Sequence, residues 1–240
     1  MGKARQMLTS RSYGLIHNSY GRLFYAVKYV HNKWHTYWNL KRSIELDSNS
    51  RIGIHHSTLM NITNSKIIVR NGSLKVGIDF GYFDGGVYDS RKDSCRIYMV
   101  NSTLEIEGNV SLFPGVVISA INARVCIKDG TIINGDTHII ALKDIEIGQN
   151  CLIAQGVIIR DNDGHKLSTE VGVEADMGID KVQIGNHCWL GQKAMILKGV
   201  ILHDNVVVAA GAVVAKSVEE NKLVAGVPAK VIKENVKWGA

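Results

Sequence analysis

Proline and aromatic residues are scarce in this 240-residue chain, with two prolines and 7% Phe, Trp and Tyr. Two prolines leave little scope for a proline-rich linker. So few aromatic rings, together with 24 glycines, suit a narrow core filled by Ile, Val, Leu and Ala. No stretch approaches the roughly 20 consecutive apolar residues that span a bilayer. No clean apolar run follows the basic start either, so we expect neither a transmembrane helix nor a signal peptide.

Cysteine is also infrequent, and the four cysteines, Cys95, Cys126, Cys151 and Cys188, are widely scattered. No C-x-x-C pair occurs, which argues against a zinc site or a thioredoxin-type site. The histidines show no spacing typical of metal ligands, so we expect no metal cofactor. We predict buried, unreactive thiols at Cys151 and Cys188, and a reducing, cytoplasmic location.

Acidic residues are absent from the first 44 positions, which hold eight lysines and arginines and much of the net charge of +6. Over residues 13–40, apolar side chains recur at steps of three and four, which predicts a helix or two. Two interpretations of residues 1–45 stay open. The segment docks on an anionic membrane surface as an amphipathic helix, or it packs on the end of the fold or on a neighbouring subunit. It contains no recognisable nucleic-acid module, so we expect no nucleic acid partner.

An aliphatic residue recurs at every sixth position between residues 184 and 218. The series is Ile184, Leu190, Ile196, Leu202, Val208 and Val214. A period of six fits neither a helix nor an alternating strand, and it is typical of solenoids in which each repeat forms one short strand and a corner. Three strands close one coil, so residues eighteen apart should stack.

The period sets the predicted domain boundaries. We expect a β-solenoid over residues 49–222, with extruded loops at about 81–95 and 161–182, where the period stops. A helical, basic and aromatic segment precedes it over residues 1–48. A turn and a short helix follow over residues 223–240, with the helix starting near Pro228.

Two segments resemble the hexapeptide-repeat acetyltransferases. "IGNHCWLGQKAMILKGVILHDNVVVAAGAVVAKSVEENKLVAGVPAKVIK" is similar to their C-terminal signature, and "IEIGQNCLIAQGVIIRDNDGH" is similar to the segment that carries their catalytic histidine. The likeness covers roughly residues 50–235 and is greatest to the branch that O-acetylates capsular and other surface polysaccharides. It implies a left-handed parallel β-helix, a homotrimer with active sites in the grooves between subunits, and acetyl-CoA lying along the coils.

The resemblance assigns His165 as the catalytic base, because acetyl transfer to an alcohol needs a group that removes the hydroxyl proton. Asp161 or Asp163 would orient the imidazole, and Asp163 is preferred because the six-residue phase points it inward. Ordinary turn chemistry is the alternative for both carboxylates. Trp189 should point outward, to stack on a sugar ring or the pantetheine arm, to donate its indole N–H, or to pack in the trimer interface.

The resemblance also matches residues to coenzyme A. Lys216 and Lys230 correspond to its phosphate end, where cationic donors are needed, and the alternative for each is a solvated corner. Small residues correspond to positions where the cofactor lies close to the coils. They are Gly191, Ala209, Ala210 and Ala215.

These observations predict an acetyl-CoA-dependent O-acetyltransferase that modifies a hydroxyl of a cell-surface glycan. Two alternatives stay open. One is an acetyltransferase for a small sugar, nucleotide-sugar or amino-sugar acceptor, and the other is a non-enzymatic scaffold that docks on an anionic membrane. We expect the protein in the cytoplasm, at the inner face of the membrane if the basic segment docks there.

Overall fold

The computed structural model describes residues 14–18, 21–25, 42–55, 58–77, 94–166 and 177–239, the first two as backbone only. In these ranges the chain forms short strands that wind into three sheets. Sheet A is ordered β1 (Gly14–Asn18), β2 (Gly21–Tyr25), β4 (Arg51–Ile54), β7 (Ser73–Val76), β10 (Val110–Leu112), β13 (Ile132–Ile133), β16 (Leu152–Ile153), β19 (Trp189–Leu190), β22 (Val207–Val208), β24 (Leu223–Gly226) and β25 (Ala229–Lys233).

Sheets B and C have seven strands each. Sheet B is ordered β3 (Ile44–Leu46), β6 (Lys66–Arg70), β9 (Thr103–Glu107), β12 (Arg124–Lys128), β15 (Asp144–Ile147), β18 (Val182–Ile184) and β21 (Ile201–Leu202). Sheet C is ordered β5 (Leu59–Thr63), β8 (Arg96–Val100), β11 (Val117–Ile121), β14 (His138–Ala141), β17 (Ile158–Arg160), β20 (Met195–Ile196) and β23 (Val213–Val214).

The chain visits sheets B, A and C in turn, so each coil of the prism has three strands and three corners. We name the corners by the sheets they join, as the B–A, A–C and C–B edges. Inside each sheet the strands from β2 to β24 pair in parallel with the strand of the next coil. The predicted three-sided solenoid is therefore confirmed.

Aliphatic side chains from all three sheets point into the bore of the prism. Ile184 pairs with Leu202, and Leu190 pairs with Val208, as the eighteen-residue stacking predicts. Ile159 pairs with Ile196 although the chain between them leaves the prism. These side chains are almost fully buried, and each contributes about 1.5–3 kcal/mol of hydrophobic stabilisation. The core thus continues without interruption past the extruded loop.

Small polar side chains tie neighbouring coils together at the B–A edge. Thr131 Oγ1 donates to the carbonyl of Gly148 at 2.7 Å, Cys151 Sγ to that of Gly185 at 3.1 Å, and Cys188 Sγ to that of His203 at 3.2 Å. The two cysteines therefore act as buried hydrogen-bond donors in line with a threonine. Their predicted burial is confirmed.

The other two cysteines, Cys95 and Cys126, are also buried. Burial raises the pKa of both thiols to about 11, because it disfavours the charged thiolate. At neutral pH these thiols stay protonated, which makes them poor nucleophiles.

The helix predicted over residues 13–40 is wrong where the structure describes the chain. Strands β1 and β2 form an antiparallel hairpin, and β2 pairs in parallel with β4. The edge of sheet A offers unpaired backbone groups, and this pairing outweighs the local helical spacing. The other residues before Arg42, and with them most of the proposed membrane segment, lie outside the described residues.

The helix predicted from Pro228 is also wrong. Residues 223–233 form the antiparallel hairpin β24–β25, whose turn contains Gly226 at φ 98° and Pro228 after a cis peptide bond. The β-branched Val231 and Ile232 suit a strand better than a helix. Among residues 42–239 that are described, no helix is long and apolar enough to cross a membrane.

The two predicted loops have different outcomes. Residues 78–93 lie outside the described residues, but Cys95 is already buried in the core, so the first loop ends before it. The second loop lies between β17 and β18, but Asp161 and Asn162 at its predicted start are still buried against the coil. Its middle, residues 167–176, is not described.

Close coil stacking predicts that Gly148→Ala destabilises the fold. A Cβ at Gly148 would lie 2.5 Å from the carbonyl oxygen of Gly185 on the next coil. Such overpacking against backbone costs about 1–3 kcal/mol. Chemical denaturation should show this loss, whereas Gly239→Ala, with nothing within 4 Å, should match the wild type. Equal stability of the two variants would contradict the stacking argument.

Candidate active site

The base of the second loop is built on one buried carboxylate. Asp161 is 0% exposed. It accepts hydrogen bonds from the backbone amides of Leu142 at 2.8 Å, Lys143 at 2.7 Å and Asp144 at 2.9 Å. Asn162 adds a fourth at 2.9 Å. Asp161 therefore fixes the C–B corner of the preceding coil. Both of its carboxylate oxygens already accept hydrogen bonds from that corner or from Asn162.

The predicted inward position of Asp163 is wrong. Strand alternation continues from Ile159 to Asp161, and the chain then turns out of the coil, so Asp161 takes the inward place. Asp163 is exposed and forms an ion pair with Lys198. Among the described contacts, neither carboxylate reaches His165, so the predicted role in orienting the imidazole gains no support for either aspartate.

The two ends of the loop are tied to each other and to the coils on either side. The amide of Asp163 donates to the carbonyl of Met177 at 3.3 Å, and the amide of Asp180 donates to that of Asp161 at 2.8 Å. The amide of Gly199 donates to Asp180 at 3.2 Å. The loop thus leaves through a closed neck, and His165 is exposed just outside it. A short tether to this neck restricts where the imidazole can go.

Two predicted residues, Ala215 and Lys216, and one unpredicted lysine, Lys198, lie along the same edge. Lys198 follows β20, and Ala215 and Lys216 follow β23, so all three occupy C–B corners of successive coils. Ala215 and Lys216 are exposed. A line of one imidazole and two ammonium groups therefore runs along the C–B edge from His165 towards the C-terminal end of the prism.

Trp189 and Lys230 belong to a different surface. Trp189 lies in β19 of sheet A and faces outward, as strand alternation predicts, with 40% of its surface exposed. Lys230 lies in β25, at the C-terminal edge of the same sheet, and is exposed. Sheet A, rather than the C–B edge, carries this pair.

The remaining predicted cofactor residues lie at the A–C edge. Gly191 is buried, and a Cβ there would meet the amide nitrogen of Ala210 at 2.6 Å and the carbonyl oxygen of Val208 at 2.7 Å. Its small size is required by coil stacking, and its burial does not support direct cofactor contact. Ala209 is half-buried and Ala210 is exposed. One chain therefore does not bring all the predicted residues together.

Two residues near these surfaces went unassigned in the sequence. Lys198 could have been found, because it precedes Lys216 by eighteen residues and so occupies the same corner one coil earlier. Trp238 carried no such signal, since it follows the last repeat. It stacks on His187 with ring centroids 4.3 Å apart and lies beside Trp189.

Comparison with known proteins agrees with this architecture. Residues 181–216 match the family model described as bacterial transferase hexapeptide (six repeats). The polysialic acid O-acetyltransferase of Neisseria meningitidis is 35% identical over 204 residues, which cover 80% of this chain and 86% of that protein. A lipopolysaccharide biosynthesis O-acetyltransferase of Escherichia coli, itself described as putative, is 34% identical over 157 residues, covering 59% and 80%.

A solved structure of a related enzyme has the same architecture. The polysialic acid O-acetyltransferase OatWY superposes with a TM-score of 0.60 at 30% identity, over 82% of this chain and 90% of that one. The architecture is the left-handed parallel β-helix of the hexapeptide-repeat proteins, and the acetyltransferase relatives make the class that of the hexapeptide-repeat acyltransferases. The chain belongs to the hexapeptide-repeat acetyltransferases, in the branch of the polysaccharide O-acetyltransferases.

Measurements of protein stability can test whether Asp161 is structural and Asp163 is not. Asp161→Ala removes the acceptor of three amides, and each unpaired buried donor costs about 1–3 kcal/mol. We expect a loss of about 3 kcal/mol or more in the free energy of unfolding. Asp163→Ala breaks only an exposed ion pair and should cost about 1 kcal/mol or less. Urea titrations of both variants measure the difference, and a larger loss for Asp163→Ala would refute the assignment.

Proposed function

We propose that this protein transfers an acetyl group from acetyl-CoA to a hydroxyl of a cell-surface polysaccharide. The observation that carries the proposal is the likeness, in sequence and in fold, to enzymes described as polysialic acid O-acetyltransferases, over most of their length. Family membership makes the chain an acyltransferase, and it gives no support to the alternative of a non-enzymatic scaffold. A galactoside O-acetyltransferase of Escherichia coli, 38% identical over 44% of its length, keeps a small sugar as the competing acceptor.

His165 is the general base of the proposed reaction. Its imidazole removes the proton of the acceptor hydroxyl as the oxygen attacks the thioester carbonyl, so a C–O bond forms and the carbonyl oxygen takes up the negative charge. Collapse of this adduct breaks the C–S bond, and the imidazolium returns the proton to the departing thiolate. An imidazole suits both steps, because it can bind and release a proton near neutral pH.

The negative charge on the carbonyl oxygen needs a hydrogen-bond donor. The indole N–H of Trp189 has no acceptor among the described residues. We assign it to the developing oxyanion. Lys216 and Lys230 are exposed cations and bind the phosphates of coenzyme A in this proposal.

We infer that His165 and Trp189 of one chain do not act on the same thioester. The loop leaves at the C–B edge, whereas Trp189 follows the B–A corner, and β18 lies between them. The path across sheet B from residue 181 to residue 187 spans up to about 20 Å at about 3.3 Å per residue. Two side chains do not bridge such a gap around one bond.

A cyclic homotrimer removes this obstacle. In such a ring each subunit presents one surface to a different surface of its neighbour. We propose that the C–B edge of one subunit, with His165 and Lys216, faces sheet A of the next, with Trp189 and Lys230. Each of the three grooves then holds one complete site.

A cytoplasmic location fits this function, since the four free thiols suit a reducing compartment. The basic residues before position 45 support contact with anionic lipid at the inner face of the membrane. We propose both the cytoplasmic location and the lipid contact for this enzyme.

His165→Ala tests the chemistry. Loss of the general base should lower turnover about 100-fold or more while coenzyme A still binds. Release of coenzyme A, followed with a thiol reagent, measures the rate, and calorimetry measures binding. His138→Ala, an exposed histidine on sheet C, is the control and should keep the wild-type rate. Wild-type turnover in His165→Ala would end the assignment, and a wild type that prefers monosaccharides to polysaccharide would favour the small-sugar alternative.

Mixed trimers test the shared site. His165→Ala and Trp189→Ala should each be inactive alone. When they are co-expressed, about a quarter of the sites in random trimers combine an intact His165 with an intact Trp189 from the neighbour. Activity should therefore recover to about that fraction of wild type. No recovery in trimers shown to contain both variants would place the two residues in the same subunit's site.

A further inference from the structure

The C-terminal tail folds back onto the surface that carries Trp189. After β25 the chain runs along the B–A edge, where the amide of Val236 donates to the carbonyl of Asn221 at 2.9 Å. Trp238 then donates its indole N–H to the carbonyl of His187 at 2.7 Å. Its ring stacks on the His187 imidazole with 4.3 Å between centroids and 12° between planes. One hydrogen bond and one stacked ring thus fix the indole in place.

Trp238 and Trp189 form a continuous aromatic surface. Their ring centroids are 6.1 Å apart, and the rings are tilted by 42°. Trp189 is 40% exposed, and Trp238 is half-buried. Exposed tryptophan is costly in contact with water, and neighbouring indoles at a surface usually serve binding.

The two indoles differ in what their N–H groups can do. The N–H of Trp238 is already used by His187. The N–H of Trp189 has no partner among the described residues, so it can point at a reacting group. Trp238 is therefore suited to offer a ring face, and Trp189 to offer a hydrogen bond.

We propose that Trp238 is an acceptor-binding residue that stacks on a second sugar unit of the polysaccharide, beside the unit held at Trp189. This inference rests on the proposed function. The flat C–H face of a sugar ring packs on an indole face, and the indole of Trp238 lies 6.1 Å from Trp189, close enough to meet the unit next to the reacting one. A polymer gains from the second platform, whereas a single sugar held at Trp189 does not reach it.

Steady-state kinetics of Trp238→Ala and Trp238→Phe test the inference. We expect Trp238→Ala to raise KM for a soluble polysaccharide acceptor about tenfold, with KM for acetyl-CoA and turnover of a monosaccharide acceptor within about twofold of wild type. Trp238→Phe keeps a ring and should recover most of the affinity. Val236→Ala, in the same tail, is the control and should behave as wild type. Melting curves show whether each variant is folded.

Each result of these experiments has a distinct interpretation. An unchanged polysaccharide KM in Trp238→Ala overturns the inference, and so does an equal rise in KM for acetyl-CoA, which would assign the ring to the donor. Equal losses for polysaccharide and monosaccharide would mean that Trp238 acts only through Trp189, and this too would overturn it. Quenching of tryptophan fluorescence by polysaccharide without acetyl-CoA checks binding alone. A third result would separate the two proposals. If the wild type binds polysaccharide, Trp238→Ala does not, and the wild type shows no turnover, the proposed function is contradicted and the subsite is supported.

Discussion

The close, in-register stacking of coils is the constraint on which the rest of the structure depends. Parallel strands lie about 4.8 Å apart, so every residue sits over its counterpart in the coil below. At the corners this spacing leaves no room for a side chain at Gly148, Gly185 or Gly191, where a Cβ would touch backbone atoms of the next coil. The same spacing puts Thr131, Cys151 and Cys188 within reach of a carbonyl one coil away. The spacing between coils therefore determines the packing of the core, the glycines at the corners and the hydrogen bonds of the buried thiols.

This constraint explains why the six-residue period was sufficient to predict the prism. Each repeat must place one large aliphatic side chain in the bore of the prism. The sequence accordingly has an aliphatic residue at every sixth position from Ile184 to Val214. The extruded loop was predictable for the same reason, since it interrupts the period while Ile159 and Ile196 still pair. The period also indicates that Lys216 lies at a corner, and the structure shows it exposed directly after β23.

The structure of the two ends of the prism could not be predicted, because the six-residue period does not extend to them. Residues 13–40 show helical spacing, but β2 finds an open strand edge in β4 that only the folded prism provides. The inward phase was also extended one step too far, to Asp163, because a sequence does not reveal where the chain leaves the coil. Coil stacking alone already requires a glycine at Gly191, because a Cβ there would meet the backbone of the next coil. Trp238 lies beyond the repeats, and its contact with His187 depends on a hairpin that the sequence pattern did not indicate.

The antiparallel hairpin β24–β25 has a consequence for solubility. A prism built of parallel strands ends in a row of unpaired backbone groups, which could template a second prism and lead to fibres. Strand β25 reverses the chain direction at sheet A, so the outermost strand no longer matches the parallel register of the coils. It also carries Lys230 and Lys233, whose like charges repel another copy approaching end to end. At sheet A, the strand that ends the prism therefore also disfavours end-to-end stacking of one copy on another.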